Sequence, residues 1–99
     1  MNESKLVIVA RIQAKPNKHE ELERELLILV LQTKKEEGCL QFDLYKAKNE
    51  VGVYILWECF VNQHAFNEHL QMPYTKAYFE KAKKFFLESV ESTKLNRLT

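Results

Sequence analysis

The order of the hydrophobic periods constrains this chain more than any other feature. Residues 5–14 alternate, with Leu6, Ile8, Ala10, Ile12 and Ala14 on one face and Val7, Val9, Arg11 and Gln13 on the other. A period of two reads as a strand with both faces at least partly covered. Pro16-Asn17 ends it, and a helical period follows from residue 18 to about residue 36. Asn17 is placed to cap that helix, with Glu20 completing a capping box. Glu20, Glu21 and Glu23 suit the helix start, Lys34 and Lys35 its end, and Gly38 its stop. Leu22, Leu26, Leu29, Val30 and Thr33 form the inner stripe. Leu27, Ile28 and Leu31 spill beyond it, as a broad core face or as a subunit contact.

Residues 39–46 and 52–60 read as an antiparallel hairpin joined by the polar loop Ala47 to Val51. A turn centred on Asn49 sets Tyr45 opposite Val53, Gln41 opposite Trp57 and Cys39 opposite Cys59. The even face carries Leu40, Phe42, Leu44, Tyr54, Leu56, Glu58 and Phe60, and its grease assigns it to the helices. Asn62 caps a short second helix, which Met72-Pro73 interrupts. Pro73 then opens a third helix running to about Leu87, with Tyr78, Ala82, Phe85 and Phe86 inward. Val90, Leu95 and Leu98 mark a last strand within residues 89–98. Strand, helix, strand, strand, helix, strand is the split βαβ plan of an α+β, ferredoxin-like fold: a four-stranded antiparallel sheet with helices on one face. The other face leaves Val7, Val9, Ile55 and Trp57 without a neighbour. Packing two such sheets together would bury them, so a homodimer through the sheet faces is expected.

Composition narrows the function. The chain has 99 residues, 45% hydrophobic and 29% charged, as expected of a single globular domain over residues 1–99. Fifteen basic and fourteen acidic residues leave +1, which excludes a strongly basic nucleic-acid surface. The longest apolar run, Leu26 to Leu31, is far short of a membrane span. Met1 to Lys5 shows no secretory pattern, so the cytoplasm is the expected compartment. Two cysteines without a CxxC motif, and three scattered histidines, give no built metal site. No phosphate-loop, dinucleotide or GxSxG motif occurs.

Two residues stand out against the apolar pattern. Glu58 lies by parity on the greasy face, where a carboxyl must find a partner or hold its proton more tightly. It either reaches water or a basic side chain near the strand end, or handles a proton. His69 shares a helix face with Ala65 and Phe66, turned to the sheet. It is either a satisfied core histidine or, with Glu58, an acid/base pair. Tyr54, Tyr74 and Phe42 are candidates to line the same space and bind a flat organic substrate. Cys39 and Cys59 are either small core residues or a cross-strand thiol pair.

The string Glu37-Gly38-Cys39-Leu40-Gln41-Phe42-Asp43, then Tyr54-Ile55-Leu56-Trp57-Glu58, then Ala65-Phe66 with His69 and Pro73, resembles the antibiotic biosynthesis monooxygenase family. The resemblance covers nearly the whole chain. It implies a dimeric α+β barrel with a pocket between sheet and helices. It also implies oxygenation of a small quinol-like or polyaromatic compound without metal, flavin or other cofactor, the substrate anion reacting directly with oxygen. His69 falls where that family has its histidine, and Glu58 where it has its strand glutamate. Tyr74 stands where many members carry a second histidine, and Trp57 where they carry a tyrosine. Against the haem-degrading branch, the matching positions hold Ala10, His69 and Phe79, without the haem-ligating histidine. Two other functions remain open: an isomerase of a small phosphorylated dicarbonyl sugar, with Lys34, Lys35 or Lys76 as phosphate anchors, and a dimeric binding domain without catalysis.

Overall fold

A computed structural model describes residues 5–99 of the chain. Residues 1–4, on which the reading of the amino-terminal segment partly rests, lie outside the described residues. The elements are β1 (Leu6–Ala14), α1 (His19–Thr33), β2 (Cys39–Lys46), β3 (Val53–Phe60), α2 (Gln63–Gln71), α3 (Pro73–Phe85) and β4 (Leu87–Leu95). The strands form one antiparallel sheet in the order β2-β3-β1-β4. This is the α+β, ferredoxin-like arrangement expected from the order of periods. No helix among the described residues is long and apolar enough to cross a membrane.

The alternation in β1 decides which face is core. Ile8, Ala10, Ile12 and Ala14 are buried with Leu22, Leu26, Leu29 and Val30 of α1, whereas Val7, Val9, Arg11 and Gln13 are half-buried on the open face. Pairing then lines up the residues on the helix side of the sheet in rows, of which the β4 members and Lys46 stay exposed. Phe42, Glu58, Ile8 and Lys94 form one row; Leu44, Leu56, Ala10 and Ser92 form the next; Lys46, Tyr54, Ile12 and Val90 form a third.

Several local expectations are corrected. The hairpin register is shifted by two residues, so Gln41 faces Cys59 and Tyr45 faces Ile55. An even shift preserves the side-chain parity. A bulge between Cys39 and Gln41 breaks that parity at the strand start. Leu40 is therefore half exposed rather than in the core, and Cys39 lies opposite Phe60. Cys39 and Cys59 are not a cross-strand pair, and both are free.

Asn17 does not cap α1. It takes a left-handed backbone (φ 64°), and Lys18 precedes the helix without a side-chain cap. An asparagine tolerates that conformation and so makes the tight turn between β1 and α1. The helix stops at Thr33, three residues short of the expected end. Asn62 does cap α2, its side chain accepting from the Ala65 N–H at 2.8 Å, and Pro73 opens α3. Phe86 is buried at the end of α3, but Phe85 is exposed rather than inward. The chain then enters β4 at Leu87, two residues before the expected start.

Candidate active site

A cavity of about 230 Å³ lies between the sheet and α2 and α3. Its floor is set by the small residues Ala10 and Ser92, which face each other across β1 and β4 in the middle row. Larger neighbours in the flanking rows, Ile8 and Ile12, leave a hollow where those two have little side chain. Phe66, His69 and Leu70 of α2, with Tyr78 and Phe79 of α3, complete the walls. The lining is mainly apolar and aromatic, with Glu58, His69, Tyr78, Ser92 and Lys94 as its polar members.

Glu58 and His69 both line this cavity, as does Phe42. Glu58 is 7% exposed and has no hydrogen-bond or ion-pair partner among the described residues. Burial pushes its carboxyl up to about 7, because the charged form loses its hydration and gains nothing in exchange. The nearest cation by register is Lys94, across Ile8, whose Nζ donates to Gln63 Oε1 at 3.1 Å.

His69 is held from several sides. Its ring centroid lies 5.1 Å from Phe60, 5.6 Å from Phe42 and 6.2 Å from Phe66. Its Nδ1 is 2.9 Å from Glu36 Oε2, with both side chains buried. The periodicity gave no hint of this carboxylate. Glu36 stands in the connection between α1 and β2, where its N–H donates to the Thr33 carbonyl and its own carbonyl accepts from the Cys39 N–H. Gly38, two residues on, packs against α2: a Cβ at that position would lie 2.4 Å from the Ala65 Cβ. That close approach brings the turn bearing Glu36 onto the helix bearing His69, one turn after Ala65.

The two tyrosines sit elsewhere. Tyr74 is not among the residues lining the cavity; its O–H donates to Glu36 Oε2, the oxygen that also meets His69. Burial, and then the Glu36 carboxylate, push its phenol well up. Tyr54 lies two rows from Glu58, with its O–H bonded to Glu23 Oε1 at 2.9 Å and 3.2 Å from the His19 carbonyl. Burial and Glu23 push that phenol up to about 12. Tyr54 therefore ties β3 to the start of α1 instead of lining the hollow. Tyr78, read from its period only as an inner-face residue, is part of the cavity wall. The Cys39 thiol is pushed up to about 11, by burial first and by Glu36 second, which keeps it protonated and unreactive near neutrality.

The arrangement can accept and return protons: an uncompensated carboxyl and an oriented imidazole border one apolar space. Among the described residues, no cluster of three or more histidine, cysteine or acidic side chains is placed to hold a metal ion.

Comparison with known proteins adds to this geometry. A Bacillus subtilis protein named "Putative monooxygenase YcnE" is 30% identical over 78 residues, covering 79% of this chain and 82% of its own. A Synechocystis protein, "Uncharacterized protein sll1783", is 27% identical over 77 residues, and this chain spans only about half (52%) of its length. The crystal structure of PA3566 from Pseudomonas aeruginosa superposes with a TM-score of 0.93 at 29% identity, covering 100% of this chain and 99% of that one. The family described as antibiotic biosynthesis monooxygenase matches residues 5–81. With that match spanning most of the chain and the fold agreeing throughout, this protein belongs to the antibiotic biosynthesis monooxygenase family.

Proposed function

We propose that the chain is a cofactor-independent monooxygenase acting on a one- or two-ring quinol-like compound. Family membership supports a monooxygenase-like activity in general. The observation that carries the finer reading is Glu58: a carboxyl without a partner, pushed up to about 7, in an apolar cavity that His69 also lines. A group poised near neutrality is matched to taking a proton from a substrate hydroxyl at working pH. The cavity volume bounds the substrate. A hollow of about 150 Å³ takes a single benzene ring, so about 230 Å³ suits one ring or two.

The reaction balances without an added reductant. Glu58 or His69 removes the hydroxyl proton, and the electron-rich anion transfers electrons to oxygen. A carbon–oxygen bond forms, giving a peroxide whose O–O bond then breaks. The carbon gives up its hydrogen as a proton while the O–O bond breaks, so one oxygen atom stays there as a new carbonyl, which enolises to a hydroxyl where the ring allows it, and the other leaves as water. Every electron comes from the substrate, which is oxidised as oxygen is reduced. The protein contributes orientation, a largely apolar space and the base.

Oxygen uptake with a panel of chemically reduced one- and two-ring quinols tests this reading. Uptake well above the buffer rate is expected, with one atom of labelled oxygen in the product and a loss of about 100-fold or more in His69→Ala. Uptake at the buffer rate across the panel, or a product without label, would refute it. The isomerase reading gains less support, because Lys34, Lys35 and Lys76 do not line the cavity and Lys94 is its only cation among the described residues.

For partners, a small-molecule substrate in the cavity and a second copy of the chain on the open sheet face complete the proposal. Half-buried Val7, Val9 and Ile55 lie there around the exposed Trp57. Two free thiols suit a reducing cytoplasm.

A further inference from the structure

Glu36 belongs to no part of the chemistry above, yet it is among the most enclosed carboxylates of the described chain. Its side chain is 8% exposed, beside an imidazole that is 4% exposed. A buried carboxylate needs donors, and two converge on one of its oxygens: His69 Nδ1 at 2.9 Å and the Tyr74 O–H. Its backbone is fixed on both sides, through Thr33 and Cys39. The three rings of Phe42, Phe60 and Phe66 restrict the plane of the imidazole. His69 Nε2 has no hydrogen-bond partner among the described residues, and the residue lines the cavity.

A carboxylate cannot donate, so a bond at Nδ1 requires the proton to be on Nδ1. In the neutral ring the lone pair is then on Nε2. We propose that Glu36 is the positioning residue of His69: it holds the ring in the Nδ1–H tautomer and keeps Nε2 free to accept a proton from the cavity. Tyr74 serves the pair by occupying the same carboxylate oxygen, which fixes Glu36 in place. Tautomer control stands on geometry alone; its use in turnover rests on the monooxygenase reading.

Nitrogen-15 NMR of the histidine rings, paired with oxygen uptake, tests both parts. In its uncharged form, wild-type His69 is expected as the Nδ1–H tautomer. Glu36→Ala should release the ring so that the Nε2–H form appears, with kcat down about 100-fold and KM within about twofold. Glu36→Gln keeps an acceptor oxygen, so it should restore the tautomer and recover kcat to within about tenfold. An Nε2–H tautomer in the wild type would overturn the proposal even if Glu36→Ala fails to fold. So would an unchanged tautomer in a folded Glu36→Ala protein, whereas a changed tautomer with undiminished kcat would overturn its use in turnover. A wild-type protein with the Nδ1–H tautomer but no uptake would refute the reaction and leave tautomer control by Glu36 supported.

Discussion

Glu58 imposes a cost on the folded chain that no neighbour offsets. Its carboxyl ordinarily titrates at 4.5 and is pushed up to about 7 by burial. Between those pH values the folded state keeps a proton that the unfolded chain has released, so stability falls as pH rises through this window. The full effect is roughly 3 kcal/mol and is complete above pH 7. Glu58→Gln should remove that decline and leave the variant more stable than wild type at pH 8. Urea unfolding of both proteins at pH 4.5 and pH 8, at one concentration, measures it; parallel pH dependences would contradict it. The inward aim of Glu58 and His69 was legible from periods of two and of nearly four residues. It survived a register error because the shift was even. Glu36 was not legible. In the run Lys34-Lys35-Glu36-Glu37 it reads as the solvated end of a helix, whereas α1 stops at Thr33 and Glu36 sits in the turn that follows, its N–H bonded to the Thr33 carbonyl. Tyr54 and Tyr74 misled for a related reason: a tyrosine's period gives its face, but its hydroxyl follows the nearest acceptor, here Glu23 and Glu36.

At the scale of elements, the connection between α1 and β2 positions the site more than any strand does. Gly38 stands where the sequence predicts a helix stop, a purpose glycine commonly serves. What the position requires is space, since any side chain would collide with Ala65 of α2. The Val61 N–H also donates to the Gly38 carbonyl at 2.9 Å, closing the same contact from the backbone. Gly38→Ala should therefore force the turn and α2 apart, costing about 1–3 kcal/mol as other overpacked contacts do. Because Glu36 and His69 ride on those two segments, the variant should lose their bond along with stability. A urea midpoint equal to wild type would contradict so close an approach of Gly38 to Ala65. The β1–α1 turn teaches the same lesson. Asn17 had the composition of a cap, but the short connection needed a left-handed residue, and backbone geometry took precedence over the capping bond.

For the whole molecule, the open sheet face and the cavity are two sides of one layer. The side chains that alternate with Ile8, Ala10 and Ile12 are Val7, Val9, Arg11 and Gln13, so a partner packed on one face would stiffen the floor of the hollow on the other. Trp57, 36% exposed near the middle of that face, is the natural anchor of such a contact. Light scattering after size exclusion should find a dimer for wild type and a monomer for Trp57→Lys at micromolar concentration; a wild-type monomer would remove the contact from the account. The central claim concerns the other face, where a carboxyl and an imidazole share one apolar space. The pH dependence of kcat/KM for quinol-driven oxygen uptake, corrected for the buffer rate, tests it most directly. The account predicts a rise through about pH 7 to a plateau, with Glu58→Gln losing both the inflection and about 100-fold of the rate. A Glu58→Gln variant that keeps the wild-type rate and profile would contradict it.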